Sequence, residues 1–326
     1  KIKHKYRNHS DFNHDDPVID KDMEILTSFP KYFVNYIPNL NTYLSGTIVH
    51  WKNCDKLTYK KAVTLINHIE HRLGRIYRHY LGNGVKIFFK TYSQPNNGTP
   101  IKEDSLCREL RKVDPLFLEL GTAAPPPYNN LPSSEAFGNL DTVVFTDSKG
   151  IEHKFEIRAS LAKKDIQLPN CQPGGNTVIG KYYGNVQGIS LVRANRELRL
   201  HHFDFPFPNG NHDQRHRWWK IEVKFEPISD EILDVNANKT DALHFRFISD
   251  QNQENDDADY IKLRYLLSSK VNNLIKELWK EILSRVEECK SKPLKTQTCP
   301  YCHNETLING KCTSCEETVD FCQEIG

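Results

Sequence analysis

The sequence predicts an α+β protein, on three observations. Short β-branched runs recur along the chain, only two stretches hold helical periodicity over many turns, and a cysteine-rich tail follows Pro293 as a separate small unit. Composition fits this class. The 326 residues are 38% hydrophobic and 26% charged, with a mean hydropathy of −0.63. This profile excludes collagen-like and wholly disordered chains. No run approaches the roughly 20 apolar residues that span a bilayer, so no membrane partner is expected. The 44 basic and 42 acidic residues leave a net charge of +2, so attraction to nucleic acid has to come from local patches. Nine cysteines without an export signal favour thiols and metal over disulfides, and a cytoplasmic location.

Residues 1–41 read as loop with a short helical piece. Ser45 to Trp51 is a β-branched run behind a glycine and predicts a strand. Thr58 caps a predicted helix to about Leu81, with Leu65, Ile66, Ile69, Leu73, Ile76 and Tyr77 on one side. Lys60, Lys61, Arg72, Arg75 and Arg78 form a basic solvent side that admits phosphate contacts, although a charged face of this kind is ordinarily just solvated. Gly82 and Gly84 stop the helix, and Val85 to Lys90 predicts the next strand. Residues 94–140 are rich in breakers, including three consecutive prolines at Pro125 to Pro127, and read as a long connection.

Val143 to Phe145 and Ile151 to Ile157 flank the turn Asp147 to Gly150, a hairpin signature. Gly188 to Arg193 predicts a strand ending in the turn Ala194-Asn195-Arg196. Trp219, Ile221, Val223 and Phe225 alternate with Lys220, Glu222 and Lys224, which predicts a strand with one face in water. From Asp259 to about Lys290 an apolar stripe of Leu267, Val271, Leu274, Ile275, Leu278, Ile282 and Val286 predicts a long helix, on the order of 45 Å.

The strongest chemical signal is Cys299-x-x-Cys302 followed by Cys312-x-x-Cys315. A CxxC turn directs two thiolates at one ion, and two such turns complete a tetrahedral zinc site. Asn309-Gly310 supplies a hairpin turn between the pairs. Four thiolates leave no open coordination position, so the zinc is expected to be structural. His201, His202, His212 and His216 admit either a second metal site or a solvated polar loop; Pro206, Pro208 and Gly210 favour the loop. Arg215, Arg217 and Lys220 around Trp218 and Trp219 fit single-stranded nucleic acid or a tryptophan core beside a charged strand end. No phosphate-cradling GxxxxGK[ST] or GxGxxG, and no GxSxG or HExxH, is present.

Several segments in the same order resemble the downstream half of GHKL-type ATPases, the superfamily of DNA gyrase, heat-shock chaperones, histidine kinases and MutL, most nearly its MORC-like and prokaryotic branches. Ser45-Gly46-Thr47-Ile48-Val49 resembles the last strand of the nucleotide-binding domain. Tyr183-Gly184, Gly188 to Arg193 and Arg196-Glu197 resemble a strand of the transducer domain that follows it. Trp219 to Phe225, Asp230-Glu231-Ile232 and Val235 to Thr240 resemble the segment whose lysine reaches the γ-phosphate.

The resemblance spans about residues 40–245. It implies Lys239 as the γ-phosphate lysine, Thr47 as an adenine-side residue, and a transducer with a ribosomal-protein-like β-α-β fold. The family's catalytic Glu, magnesium-binding Asn, Asp-x-Gly-x-Gly turn and glycine-rich lid are not found ahead of Thr47. ATP and magnesium are therefore expected only with an upstream nucleotide-binding half, and the opening at Lys1 with Met23 as the single methionine suggests a fragment. The expected organisation is 1–57 as the tail of a nucleotide-binding domain, 58–257 as transducer, 258–292 as long helix and 293–326 as zinc ribbon. The expected function is the coupling part of a dimeric or larger ATP-driven assembly in DNA-related or defence work. The alternative is a non-enzymatic nucleic-acid or protein binding module.

Overall fold

The amphipathic run after Thr58 forms helix α1, Ala62–Ile76, and Tyr77 interrupts it before a second short helix, α2, Arg78–Gly82. In place of one continuous helix, Tyr77 adopts φ −102° and ψ 14°, which ends the first helix and starts the second. The computed structural model describes residues 2–3, 24–25, 54, 56–93, 102–249, 258–291, 307–308 and 311–312. The strand expected at Ser45 to Trp51 lies outside them.

The chain divides into two compact units, one drawn from Lys1–Glu70 and Lys86–Leu110, the other from His71–Val85 and Arg111–Gly326. Helix α1 contributes its first part to one and its last part to the other. The first unit contains the antiparallel pair β1 (Ile2–Lys3) and β2 (Glu24–Ile25). It also contains the antiparallel pair β3 (Phe88–Ser93) and β4 (Lys102–Glu109). The strand expected at Val85 to Lys90 thus starts three residues later. Arg108 fastens β4 to the middle of α1 through Asn67 at 2.8 Å and Glu70 at 2.9 Å.

The second unit is built on a six-stranded mixed sheet of order β5-β7-β10-β8-β9, with β6 also pairing with β7. Its strands are β5 (Ser134–Ala136), β6 (Asp141–Thr146), β7 (Glu152–Ala162), β8 (Ile189–Arg193), β9 (Arg196–His201) and β10 (Trp219–Phe225). Only β8 and β10 run parallel. The β6–β7 hairpin forms as its turn residues predict. The Asp147 carboxylate accepts the amides of Lys149 and Ile151, and Gly150 takes φ +79°. Between β7 and β8 the chain forms the short helices α3 (Lys164–Gln167) and α4 (Val178–Gly184). Thr177 caps α4 by accepting the Gly180 amide at 3.0 Å.

The long helix is α5, Asp259–Ser291. Its stripe of Leu263, Leu267, Val271, Ile275, Leu278 and Ile282 is buried, in one core with Ile157, Ala159, Ile189, Leu191, Ile221 and Val223 of the sheet. Arg285 pins the last turns by donating to the Ala162 carbonyl and to Glu135 at 2.8 Å. A disulfide joins Cys289 of α5 to Cys171, with Cα atoms 5.3 Å apart. This corrects the expectation of thiols and metal in place of disulfides: packing of α5 brings together two cysteines 118 residues apart.

Residues 94–140 are not one long connection, since β4 and β5 lie within them. The ordered stretch between these strands is organised by Asp114, a buried carboxylate that accepts the amides of Leu116, Leu118 and Glu119. Those bonds stand in for ladder partners, so Leu116 and Phe117 can be buried without regular structure. Burial pushes the Asp114 carboxyl upward, and Glu119 adds to this, while the three amides work in the other direction.

The tail contributes one described feature. Strands β11 (Leu307–Ile308) and β12 (Lys311–Cys312) pair antiparallel, with Ile308 opposite Lys311, so two residues, Asn309 and Gly310, connect them. No helix among the described residues is long and apolar enough to cross a membrane.

Candidate functional site

Lys220 and Glu222 show how the sheet organises charge. They alternate with apolar neighbours along β10, a pattern that predicts a wet face, yet both are buried. β10 is central, between β7 and β8, and its polar side is covered by α2, α4 and the stretch around Phe117. Countercharges there take the place of water. Arg78, 1% exposed, donates to Glu222, to Glu197 at 3.0 Å and to the Ser190 hydroxyl at 2.9 Å. Arg75 holds the other oxygen of Glu197 at 2.7 Å, and Arg158 reaches Glu222 from β7. Burial alone would raise the Glu222 carboxyl; His79, Arg78 and Arg158 outweigh it and hold the carboxyl well below the usual range.

Two residues away, the Lys220 ammonium donates to the carbonyls of Tyr183 and Val186, and it lies 5.6 Å from the centre of the Tyr183 ring. Burial, with Arg217 adding to it, drives its pKa well below the ordinary lysine value. Tyr183 stacks on Phe117 at 3.8 Å and exchanges hydrogen bonds with Ser133 and Ser134. Arg158 and Arg75 keep part of their surface open, but Arg78, Glu197, Glu222, Lys220 and Tyr183 are closed off from solvent, so their work is to lock α2 and α4 onto the sheet.

The accessible cationic site lies where β10 ends. A 3₁₀ turn, Pro227–Ser229, delivers Asp230 to the Arg193 fork, with Nε at 2.6 Å and Nη2 at 2.8 Å. Lys239 binds the same carboxylate at 2.9 Å. The chain between them is a shaped turn. Val235 bridges Ala242, the Asn236 side chain accepts the Thr240 amide at 2.8 Å, and Lys239 itself takes a left-handed φ of 53°. The lysine therefore stands on a constrained support while its side chain keeps 36% of its surface open. Hydrogen bonding from Arg193 first, and from Lys239 after it, lowers the Asp230 carboxyl. Farther along, Asp241 is shared by Arg199 and Arg246.

The other expected residues separate into three groups. Thr47 lies outside the described residues, as do Cys299, Cys302 and Cys315; Cys312 is placed as the last residue of β12. No group of three or more metal-ligating side chains occurs among the described residues. Of the five cations expected to meet phosphates, Lys60, Lys61 and Arg72 are exposed, whereas Arg75 and Arg78 are committed to Glu197 and Glu222. That is a correction of the basic-face reading: the sheet supplies acidic partners on the side that faces water in a helical projection.

The histidine loop is likewise drier than expected. His216 is fully buried, donates to the Pro208 carbonyl at 2.8 Å, and accepts the Trp219 indole N–H at 3.1 Å. Phe203, Phe205 and Phe207 are buried with it. Burial lowers the pKa of His201, His202 and His216. Trp218 and Trp219 are core residues, and Arg215 lies over Trp279 at 4.7 Å. These tryptophans offer no stacking platform for bases.

Sequence reasoning did not single out Asp230, Glu197, Glu222 or Asp114. Alternation along β10 carried a signal, since it marked the polar side, but nothing in a single strand says whether water or a countercharge meets that side. In comparisons with known proteins, no family model matches this chain and no curated protein matches it.

Proposed function

We propose that this chain is the coupling portion of a GHKL-type ATPase, with Lys239 as the residue that meets the terminal phosphate of a bound nucleotide. The observation that carries the reading is the delivery of Lys239. The lysine is presented beyond the end of a central strand, on a hydrogen-bonded turn, with a side chain that is partly open and held, among the described residues, by a carboxylate already neutralised by Arg193. A triphosphate offers such a lysine stronger charge-assisted contacts than a shared carboxylate does. Movement of Lys239 between the two partners would then report nucleotide state to the sheet through Asp230 and Arg193. The buried Arg78 cluster supports this by making α2 and the strands β8, β9 and β10 respond as one body.

The test uses the protein that carries the nucleotide-binding half. Lys239→Ala is expected to lower ATP turnover by about 100-fold, the range for losing a charged group on a transferring phosphoryl, with the fold intact by circular dichroism. Unchanged turnover removes the reading. We also infer that Cys299, Cys302, Cys312 and Cys315 hold one structural zinc. The two-residue connection between β11 and β12 supports it, because it turns the chain back on itself and sets Cys312 opposite Leu307. Elemental analysis of the purified chain is expected to find one zinc per chain, and a value near zero refutes the site.

A further inference from the structure

The tip of the β8–β9 hairpin holds two arginines in direct opposition. Arg193 and Arg196 are register partners on either side of Ala194 and Asn195, with Ala194 in the left-handed region at φ 51°. Directly paired residues project to the same face, and like charges in that position destabilise a hairpin unless an anion lies between them. Asp230 serves Arg193 through both of its oxygens. Arg196 has no such partner: its Nε is buried and unpaired among the described residues. An orphaned donor on a guanidinium is costly; protein atoms cover the Nε, so an oxyanion would meet Arg196 through its terminal N–H groups, which have no partner among the described residues.

Charge accounting agrees. One carboxylate, Asp230, is shared by Arg193 and Lys239, while Arg196 stands across the hairpin. Glu226 contributes to Arg193 through space and takes no hydrogen bond from it. The forked Arg193 pair already neutralises Asp230, which makes Lys239 the cation that can leave at least cost.

We propose that Arg193, Arg196 and Lys239 form a phosphate-binding site at the β8–β9 tip, in which Asp230 is an internal counter-ion that holds Lys239 until a phosphate arrives. This rests on the reading of Lys239 given above and adds to it Arg196 as a binding residue and Asp230 as a positioning residue. The recognised chemistry is a phosphate oxyanion, supplied by a nucleotide or by a nucleic-acid backbone.

The experiment is a calorimetric titration of the full chain with inorganic tripolyphosphate, alongside anisotropy with a short labelled single-stranded oligonucleotide. Arg196→Gln is expected to weaken tripolyphosphate binding by about tenfold, the loss of one charge-assisted hydrogen bond, and Arg196→Lys to retain most of it. Asp230→Asn is expected to tighten binding, and that gain is expected to vanish when Lys239→Met is added, a dependence that general charge removal would not show. Melting curves identify any variant that fails to fold, and Arg196→Met then takes the place of Arg196→Gln.

Unchanged affinity in Arg196→Gln together with loss in Lys239→Met overturns the site and leaves the Lys239 reading standing. Unchanged affinity in both overturns both. Tighter binding of tripolyphosphate than of the oligonucleotide assigns the phosphate to a nucleotide, and the reverse order assigns it to a nucleic-acid backbone.

Discussion

Arg78 shows how much one side chain can organise. It is 1% exposed and touches side chains from three strands, so its charge is matched only when β8, β9 and β10 are all in place. Removing one member of a buried ion cluster leaves the others uncompensated, which costs more than the cluster contributes. Arg78→Met is therefore expected to lower unfolding free energy by about 3–5 kcal/mol, read from urea melts.

Glu222 sets a pH dependence with a definite sign. Its folded-state carboxyl lies below its ordinary value of 4.5, so the stability it contributes is complete above that pH and is lost as pH falls below it. Glu222→Gln is expected to be less stable at pH 7 and to lose less stability on acidification. A wild-type profile that is flat below pH 4.5 would contradict this.

At the level of elements, helix α1 is constrained by a close approach rather than by its stripe. A Cβ on Gly74 would stand 2.5 Å from the Arg111 carbonyl oxygen and 3.1 Å from Val113, and the Gly74 carbonyl accepts the Val113 amide at 3.1 Å. Alanine is the better helix former by about 1 kcal/mol, but backbone at 2.5 Å cannot yield cheaply. Gly74→Ala is thus expected to destabilise, by roughly 1–3 kcal/mol in thermal or urea melts; a stabilised variant would show that 111–113 is free to move.

The legibility of elements follows the same physics. Helix α5, strand β10 and the β6–β7 hairpin are readable, because apolar periodicity and turn residues are local properties. Strands β4 and β5 are not. The first is a charged run without alternation, and the second has three residues, so pairing with distant partners decides both. At the candidate site, Lys239 and Asp230 both lie in the segment that carries the resemblance, but the resemblance gives a role to the lysine alone; the role of Asp230 depends on Arg193, 37 residues earlier.

For the whole molecule, the mixed sheet and its two unlike coverings matter most. One side is sealed by the apolar stripe of α5, and the other by ionic pairs with α2 and carbonyl contacts from α4. The Cys171–Cys289 disulfide adds a restraint on the first covering, since it fastens the end of α5. Closing a loop of that length reduces the freedom of the unfolded chain, by up to about 4–5 kcal/mol in the chain-entropy account. Cys171→Ser is expected to lower the midpoint of thermal unfolding, and reductant is expected to affect the wild type but not the variant.

That cross-link also makes a covalent ring of the chain from Cys171 to Cys289, enclosing β8, β9, β10 and nearly all of α5. A single proteolytic cut inside the ring opens it without parting the fragments. The cysteine-rich segment that follows Cys289 would stay tethered to the sheet after such a cut, and only reduction of the disulfide would then part the two pieces.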